Sequence, residues 1–429
     1  MPSPKPIRYA RRLLPARACN LSSESMKSNF LQTALVLGLL SAIGPFAIDM
    51  YLPALPSIGQ SLNASMGAVQ ASLMAFFLAL GLGQLIYGPV SDMVGRKPPI
   101  YFGLTLFGIS SVGCALAPDV DTLIALRFVQ GLGACAGMVI PRAVVRDLHT
   151  GVDAARLMSM LMLVFSVCPI LAPLAGSLMT EWAGWRSVFW SVAVLAVLGI
   201  VLLATSLPET RSPAQRLNSN VRGALSAYGT LLRDRYFLGL VCIGAFGISS
   251  FFSYLANSPF VLMNHFGLTP RQYSMAFALN AASFIGSAQF TGRLSARFGL
   301  LSVVKGAVLG YAVVMAALLA LNLLGVDRLD VLIGMMLLGF GFLGLVMPTT
   351  AVLALDEHGS IAGTASALMG TLQFGGGAAV MAIVGPFVDG TARPMIAGIA
   401  SCALLAFVIA RITLYGKRAA RTAGAVRSI

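Results

Sequence analysis

Two ionisable side chains, Asp49 and Arg127, fall inside long apolar stretches of the sequence. A charge at the centre of a lipid bilayer costs about 2.5–3.5 kcal/mol on insertion scales, so a residue of this kind marks a functional site by default. A low-dielectric environment favours the protonated form of a carboxyl group, whereas a nearby guanidinium favours its ionised form. An acid and a base on different segments can thus alternate between an ionised pair and a protonated, separated acid, as proton-coupled transport requires. The alternative is a static buried ion pair that joins two helices.

The stretches that carry these residues belong to a set of twelve long apolar runs. The chain has 429 residues, of which 57% are hydrophobic and 10% are charged, whereas soluble domains have about 25% charged residues. Runs of about 20 apolar residues cross the roughly 30 Å hydrocarbon core as helices, and they are continuous rather than alternating as in β-barrels. We therefore predict an all-α membrane protein. The predicted segments are 30–54, 66–90, 98–117, 122–145, 155–180, 186–207, 236–262, 271–292, 299–323, 330–353, 361–386 and 392–414.

The basic residues predict the orientation of these segments. If the N-terminus is cytoplasmic, 24 of the 29 Lys and Arg residues lie on the cytoplasmic side, including three counted after segment 4. By the positive-inside rule, both termini are then cytoplasmic and the protein lies in the cell (inner) membrane. The net charge of +14 is therefore explained by orientation and not by nucleic-acid binding. In this topology Asp49 and Arg127 are at comparable depth in the outer half of the membrane.

The sequence also divides into two similar halves. The polar stretch 208–235 is the one long interruption between apolar runs, so we expect a tail at 1–28, a six-helix bundle at 29–207, a linker at 208–235, a second bundle at 236–415 and a tail at 416–429. Residues 8–17 resemble a transit peptide in composition, with a start at Met26 as the alternative. Duplicated halves place a substrate site at their interface near the midplane. Three motifs recur in order at nearly constant offset: residues 88–95 at 292–299, Tyr51-Leu52 at Tyr254-Leu255, and Gly131-x-Gly133 at Gly339-x-Gly341.

Several motifs resemble those of the major facilitator superfamily. Gly88-x-x-x-Asp92-x-x-Gly95-Arg96-Lys97 is similar to the signature loop after helix 2, and Arg127-x-x-Gln130-Gly131 is similar to the helix-4 motif. The resemblance implies two six-helix pseudo-symmetric halves, a proton-coupling role for Asp49 and Arg127, and a gating role for the loop. Asp92, Gly95, Arg96 and Lys97 would then latch the outward-facing state, with a plain topology anchor as the other interpretation.

A narrower resemblance is to the twelve-helix drug–proton antiporters of the bicyclomycin- and chloramphenicol-resistance branch. The residues that carry it are 49–56, residues 362–374, and Cys168-x-x-x-Ala172-Pro173-x-x-Gly176-Ser177 in segment 5. Pro173 and Gly176 are accordingly expected to act in gating. Three positions depart from the family pattern: Met93 stands where an Arg is usual, and Ala172 and Ser177 replace glycines of the antiporter motif.

Polar and aromatic residues of the inner segments are the candidates for binding substrate. An apolar cavity with a few polar groups suits bulky amphipathic ligands, and the other interpretation of each residue is an interhelical hydrogen bond. The candidates are Tyr51, Gln130, Tyr254, Asn257, Asn280 and Gln373.

The preferred function is a proton-coupled multidrug efflux antiporter that exports small lipophilic drugs or metabolites, with a proton-coupled importer of an organic solute as the alternative. An enzyme is not expected, because HExxH, GxSxG and P-loop motifs are absent. The cysteines lack CxxC spacing and the three histidines fall in predicted loops, so no metal or cofactor is predicted. The expected partners are a small-molecule substrate, protons and membrane lipid, with no nucleic acid, for a monomeric protein.

Overall fold

The computed structural model describes the backbone of residues 16–213, 216 and 221–426, and the side chains of residues 30–213, 216, 222–359 and 361–414. Parts of the predicted tails and linker lie outside these residues. Every regular element in the described ranges is helical, which confirms the predicted class. The main helices are α1 (Ala16–Asp49), α2 (Met66–Val94), α3 (Lys97–Leu116), α4 (Val120–Leu148), α5 (Gly151–Ala183), α6 (Arg186–Ser206), α7 (Arg235–Pro259), α8 (Pro270–Gln289), α9 (Leu300–Leu323), α10 (Leu329–Asp356), α11 (Ala362–Val384) and α12 (Arg393–Val426).

Local sequence signals explain where these helices begin. Ser65 accepts a hydrogen bond from the backbone N–H of Ala68 at the start of α2, and Asp119 accepts one from Thr122 at the start of α4. Such N-caps satisfy backbone donors that have no partner inside the helix. At α1 the chain continues beyond Asp49 through a 3-10 turn (Leu52–Ala54) and a short helix (Leu55–Ser61).

Eleven of the described helices are long and apolar enough to cross a membrane. The exception among the main helices is α8, which has 20 residues and is more polar. It packs between α5 and α10, and polar residues such as Ser274 and Asn280 are buried there. Because protein rather than lipid surrounds this face, α8 tolerates polar side chains that a lipid-facing helix would not.

The same helix pairings occur in both halves. In the first half α1 packs on α5, α2 on α4, and α3 on α4 and α6; the equivalent pairs in the second half are α7 with α11, α8 with α10, and α9 with α10 and α12. The halves meet along α2 with α11 and along α5 with α8. This repetition agrees with the internal similarity of the sequence.

The region between α6 and α7 contains a helix that the polar sequence did not predict. This linker helix (Val221–Arg233) has a buried Leu231 and exposed Leu225 and Leu232. The α2–α3 turn and the linker each follow an even number of main helices, so both lie on the same side of the bundle. We call this the linker side. The opposite side is called the far side.

Candidate functional site

Asp49 lies at the end of α1, close to α5. The residue is 6% exposed, and the Cys168 and Tyr273 side chains lie within electrostatic range of its carboxylate. Gly176 allows α5 to approach the backbone of Met50, the residue that follows Asp49. Any larger residue at position 176 would place its Cβ against the Met50 carbonyl oxygen. Among the residues whose side chains are described, Asp49 has no hydrogen-bond or ion-pair partner.

Arg127 is completely buried on α4, and its guanidinium lies between two aromatic rings. The guanidinium carbon is 4.4 Å from the centroid of Tyr51 and 4.2 Å from that of Phe76. Its Nη1 donates to Gln130 Oε1 at 2.6 Å and to the Ala47 carbonyl oxygen at 3.3 Å, while Nε and Nη2 have no partner. Aromatic faces and neutral dipoles therefore surround this cation, and the ion pair with Asp49 that the sequence suggested is not formed in this conformation.

The predicted substrate residues are mostly buried and bonded to one another or to neighbours. Tyr51 OH lies 2.6 Å from Ser72 Oγ, and Asn280 Nδ2 donates to Tyr254 OH at 3.0 Å. Gln130 bridges Arg127 and Ser111, which it reaches at 2.7 Å.

The remaining two candidates lie near the interface of the halves. Asn257 accepts from Gln70 at 3.0 Å, and the half-buried Gln373 faces Gly244 of α7. In this conformation all the candidates except Gln373 form hydrogen bonds between helices, and the role of the six in substrate binding stays a prediction.

Direct polar contacts close the far side of the interface between the halves. Gln70 Nε2 on α2 donates to the Ala256 carbonyl oxygen at 3.1 Å and to Asn257 Oδ1 on α7. Ser274 Oγ on α8 donates to the Pro173 carbonyl oxygen on α5 at 2.9 Å. We call this contact region the far-side seam. Pro173, a predicted gating residue, thus supplies a carbonyl that joins the two halves.

Aromatic rings close the interface at mid-depth. Phe77 stacks on Phe252 with a centroid distance of 4.2 Å, and Phe252 stacks on Phe374 at 5.3 Å. Thr371 also donates across the interface to the Gly81 carbonyl oxygen at 2.8 Å. These contacts join the two halves in the middle of the interface.

The predicted gating loop forms a charged network on the linker side. Arg96 pairs with Asp92 and with Asp147 of α4, each at 2.7 Å, and Arg211 of the linker lies 3.6 Å from Asp92. Gly95 adopts φ +104°, a left-handed conformation that favours glycine. The ion pairs that the described residues give Asp92 stay within the first half and the linker.

Glu209 attaches the linker to the start of α3. Its carboxylate accepts from the backbone N–H of Arg96 at 2.9 Å, Lys97 at 3.0 Å and Arg211 at 3.0 Å. Partial burial opposes ionisation, but these N–H groups and Arg216 outweigh it and hold the pKa of the Glu209 carboxyl below its ordinary value of 4.5. Lys97 Nζ adds a bond to the Leu207 carbonyl oxygen at 2.7 Å.

A cavity of about 770 Å³ opens between the halves on the linker side. We call it the linker-side chamber. It lies between α2 and α4 of the first half, α11 of the second and the linker helix, which contributes Tyr228. Its size is in the range of small-molecule sites. A second cavity, of about 690 Å³, lies on the far side between the start of α2 and the end of α11, and Gln70 also lines it. Hydrogen bonds thus join the halves on the far side beside this cavity, while the larger chamber opens on the linker side.

Sequence reasoning missed three residues at this interface: Gln70, Ser274 and Arg142. Gln70 was detectable as a large polar residue in an apolar segment, and Ser274 as a small polar residue near the start of one. Arg142 lies near the end of predicted segment 4 (122–145) but was counted with the basic residues that follow it. Because α4 extends to Leu148, Arg142 and Arg146 are both on the helix, and both line the chamber.

Comparisons with known proteins agree with this architecture. Residues 37–382 match the model of the Major Facilitator Superfamily. An uncharacterized MFS-type transporter, YdgK of Bacillus subtilis, is 36% identical over 85% of this chain and 91% of its own length. The bicyclomycin resistance protein homolog of Haemophilus influenzae is 28% identical over 88% of this chain and 95% of its own, and multidrug resistance protein D of Escherichia coli is 31% identical over 79% and 84%.

A solved structure shows the same fold at low identity. The D-xylose-proton symporter superposes with a TM-score of 0.69 over 89% of this chain and 97% of its own, with 18% identity. The relatives confirm the branch that the motifs indicated. The chain therefore belongs to the Major Facilitator Superfamily and is a multi-pass membrane transporter of small molecules.

Proposed function

We propose that this chain is a proton-coupled antiporter that exports small lipophilic drugs or metabolites by alternating access, with both termini in the cytoplasm. The observation that carries the proposal is the asymmetry of the interface between the halves. Hydrogen bonds join the halves on the far side, while the larger of the two cavities opens on the linker side. This is the arrangement expected of an inward-facing state, in which substrate enters from the cytoplasm.

Asp49 is the proton carrier in this proposal. Its carboxyl is buried beside the far-side seam and has no described partner, so opening of the seam would expose it to protons from outside. Protonation removes the cost of a buried charge, which favours return to the state seen here. Tyr51 and Gln130 hold the Arg127 guanidinium in this conformation. A rearrangement that brings the guanidinium to the carboxylate would favour ionised Asp49.

The names of the relatives support export of drugs. Proteins named for bicyclomycin resistance and multidrug resistance align over most of this chain, whereas the sugar symporter shares the fold at only 18% identity. This difference favours efflux over the importer that the same fold also permits.

The test is drug–proton exchange in proteoliposomes that contain a pH dye. With an imposed pH gradient, chloramphenicol should drive proton movement in the direction opposite to drug for the wild-type chain. Asp49→Asn should abolish it, whereas the matched control Asp153→Asn, at an exposed position of α5, should not. Movement of drug and protons in the same direction would identify an importer, and equal activity of Asp49→Asn would reject the coupling role.

A further inference from the structure

The linker-side chamber has an uneven charge distribution. Its first-half wall and the linker contribute four arginines and two aspartates, whereas its second-half wall is formed by neutral residues such as Thr364 and Ser366. The aspartates, Asp92 and Asp147, are both engaged by Arg96. The net charge of the lining is therefore positive.

Arg142 and Arg146 carry the uncompensated charge. They are one turn apart on α4, both are exposed, and both line the chamber. Among the residues whose side chains are described, neither has a hydrogen-bond acceptor or a carboxylate partner; Glu24 is the one acidic residue outside that set. Like charges at this spacing destabilise a helix, so the pair can contribute to membrane orientation but not to the stability of α4.

The surroundings of Arg142 fit an aromatic or apolar acid. Its guanidinium carbon is 5.2 Å from the ring centroid of Phe165, which holds the group in place and leaves its N–H donors available. Met158, Val139 and Tyr228 supply apolar surface nearby. A guanidinium offers paired donors that match a carboxylate or phosphate.

From this arrangement we infer that the chamber binds the acidic group of an amphipathic organic anion at Arg142 and Arg146, with the apolar body of the ligand against Met158 and Tyr228. This inference rests on the proposed function and names its substrate class. The chamber would admit neutral molecules and exclude organic cations, since the positive lining repels them.

The test uses three probes of one shape: 2-naphthoate, 2-naphthamide and 2-naphthylmethylammonium. Binding of each tritiated probe to the full chain in phosphatidylcholine nanodiscs is measured by equilibrium dialysis at pH 7. We expect the wild-type chain to bind the naphthoate about tenfold more tightly than the amide, as a charge-assisted contact allows, and the ammonium most weakly.

Variants assign the preference to the chamber. Arg142→Gln should reduce naphthoate affinity to that of the amide, and Arg142→Lys should restore part of the difference. Arg297→Gln, which removes an exposed arginine outside the chamber, should behave as wild type. Preferential binding of the ammonium, or an unchanged preference in Arg142→Gln, would overturn the inference.

Two further comparisons separate the remaining outcomes. If nanodiscs containing phosphatidylglycerol abolish naphthoate binding, the occupant is a lipid headgroup and the assignment to a transported acid is wrong. If chloramphenicol drives proton exchange but no anion preference is found, the proposed function stands without this inference. An Arg142-dependent anion preference without drug–proton exchange would reject the antiporter and retain the anion site.

Discussion

Two arginines on α4 lie in opposite environments. Arg127 has no exposed surface and is enclosed by Tyr51 and Phe76 near the far-side seam, whereas Arg142 faces the open chamber. Both lack a carboxylate partner among the described side chains. The same helix thus carries one buried cation near the far-side seam and a second, exposed cation in the linker-side chamber. In the opposite state of an alternating-access cycle, Arg127 would become exposed and Arg142 would become buried. The exposure of each arginine therefore distinguishes the two states.

The two sides of the interface also close by different means. The far-side seam uses hydrogen bonds between the halves, such as Gln70 with Asn257, and these are short-range and neutral. The charged network of the linker side holds Asp92, Arg96 and Arg211 together within the first half and linker. Opening the far side therefore breaks neutral contacts, while closing the linker side must accommodate the positive charge of the chamber.

The largest effect should follow a side chain added beside Asp49. In Gly176→Leu the new Cβ collides with the Met50 carbonyl oxygen, and backbone cannot move as a flexible side chain can. Overpacking of this kind costs about 1–3 kcal/mol or more, and it would also displace Asp49. We expect a lower thermal unfolding midpoint and no drug–proton exchange. Gly286→Leu, at a glycine with open space around it, is the control, and an equal midpoint for both variants would contradict the close approach.

A smaller effect is expected at the closed arginine. Gln130→Leu removes the acceptor of Arg127 Nη1 and leaves a buried charged donor with one long bond, at a cost of about 1–3 kcal/mol. The free energy of unfolding in detergent should fall by this amount. The control Gln289→Leu, at an exposed position of α8, should leave the free energy of unfolding unchanged. If Gln130→Leu also leaves it unchanged, the neutral dipoles do not stabilise Arg127.

The comparison of the two arginines shows what the sequence could and could not predict. Apolar runs and turn glycines such as Gly95 determine helices and connections locally, so the fold class followed from sequence. The segments of Asp49 and Arg127 were also predictable. The absence of an ion pair between Asp49 and Arg127 was not predictable. It depends on how the Tyr51 ring packs over the guanidinium, and three helices together determine this packing.

The chamber was hidden for a different reason. Arg142 lies near the end of an apolar run, where a basic residue is equally typical of a loop after the membrane segment. The extent of α4 to Leu148 decides between the two, and helix ends are the least certain feature of sequence-based prediction. The linker helix was missed because its polar composition resembles that of a loop.

The far-side seam can be weakened without harming either half. Gln70→Leu removes the hydrogen bonds to Ala256 and Asn257, each worth about 1 kcal/mol net. The population with an open far side should rise about fivefold for each kcal/mol. The rate of maleimide labelling of Ser253→Cys, buried on α7, measures this in a background without other cysteines. Gln60→Leu, exposed on the same side, is the control, and equal rates would show that the seam does not hold the far side closed.

The smallest effect should come from the attachment of the linker to α3. Glu209→Gln keeps the shape but removes the charge that accepts from Arg96, Lys97 and Arg211, with a loss of about 1 kcal/mol. Because the pKa of Glu209 is lowered on folding, its contribution is complete above the ordinary value of 4.5 and is lost as the pH falls through the folded value. The difference in unfolding free energy between wild type and Glu209→Gln should therefore be present at pH 7 and vanish under acid conditions. A difference that is the same at both would show that hydrogen-bond geometry, and not the carboxylate charge, holds the linker at the open side.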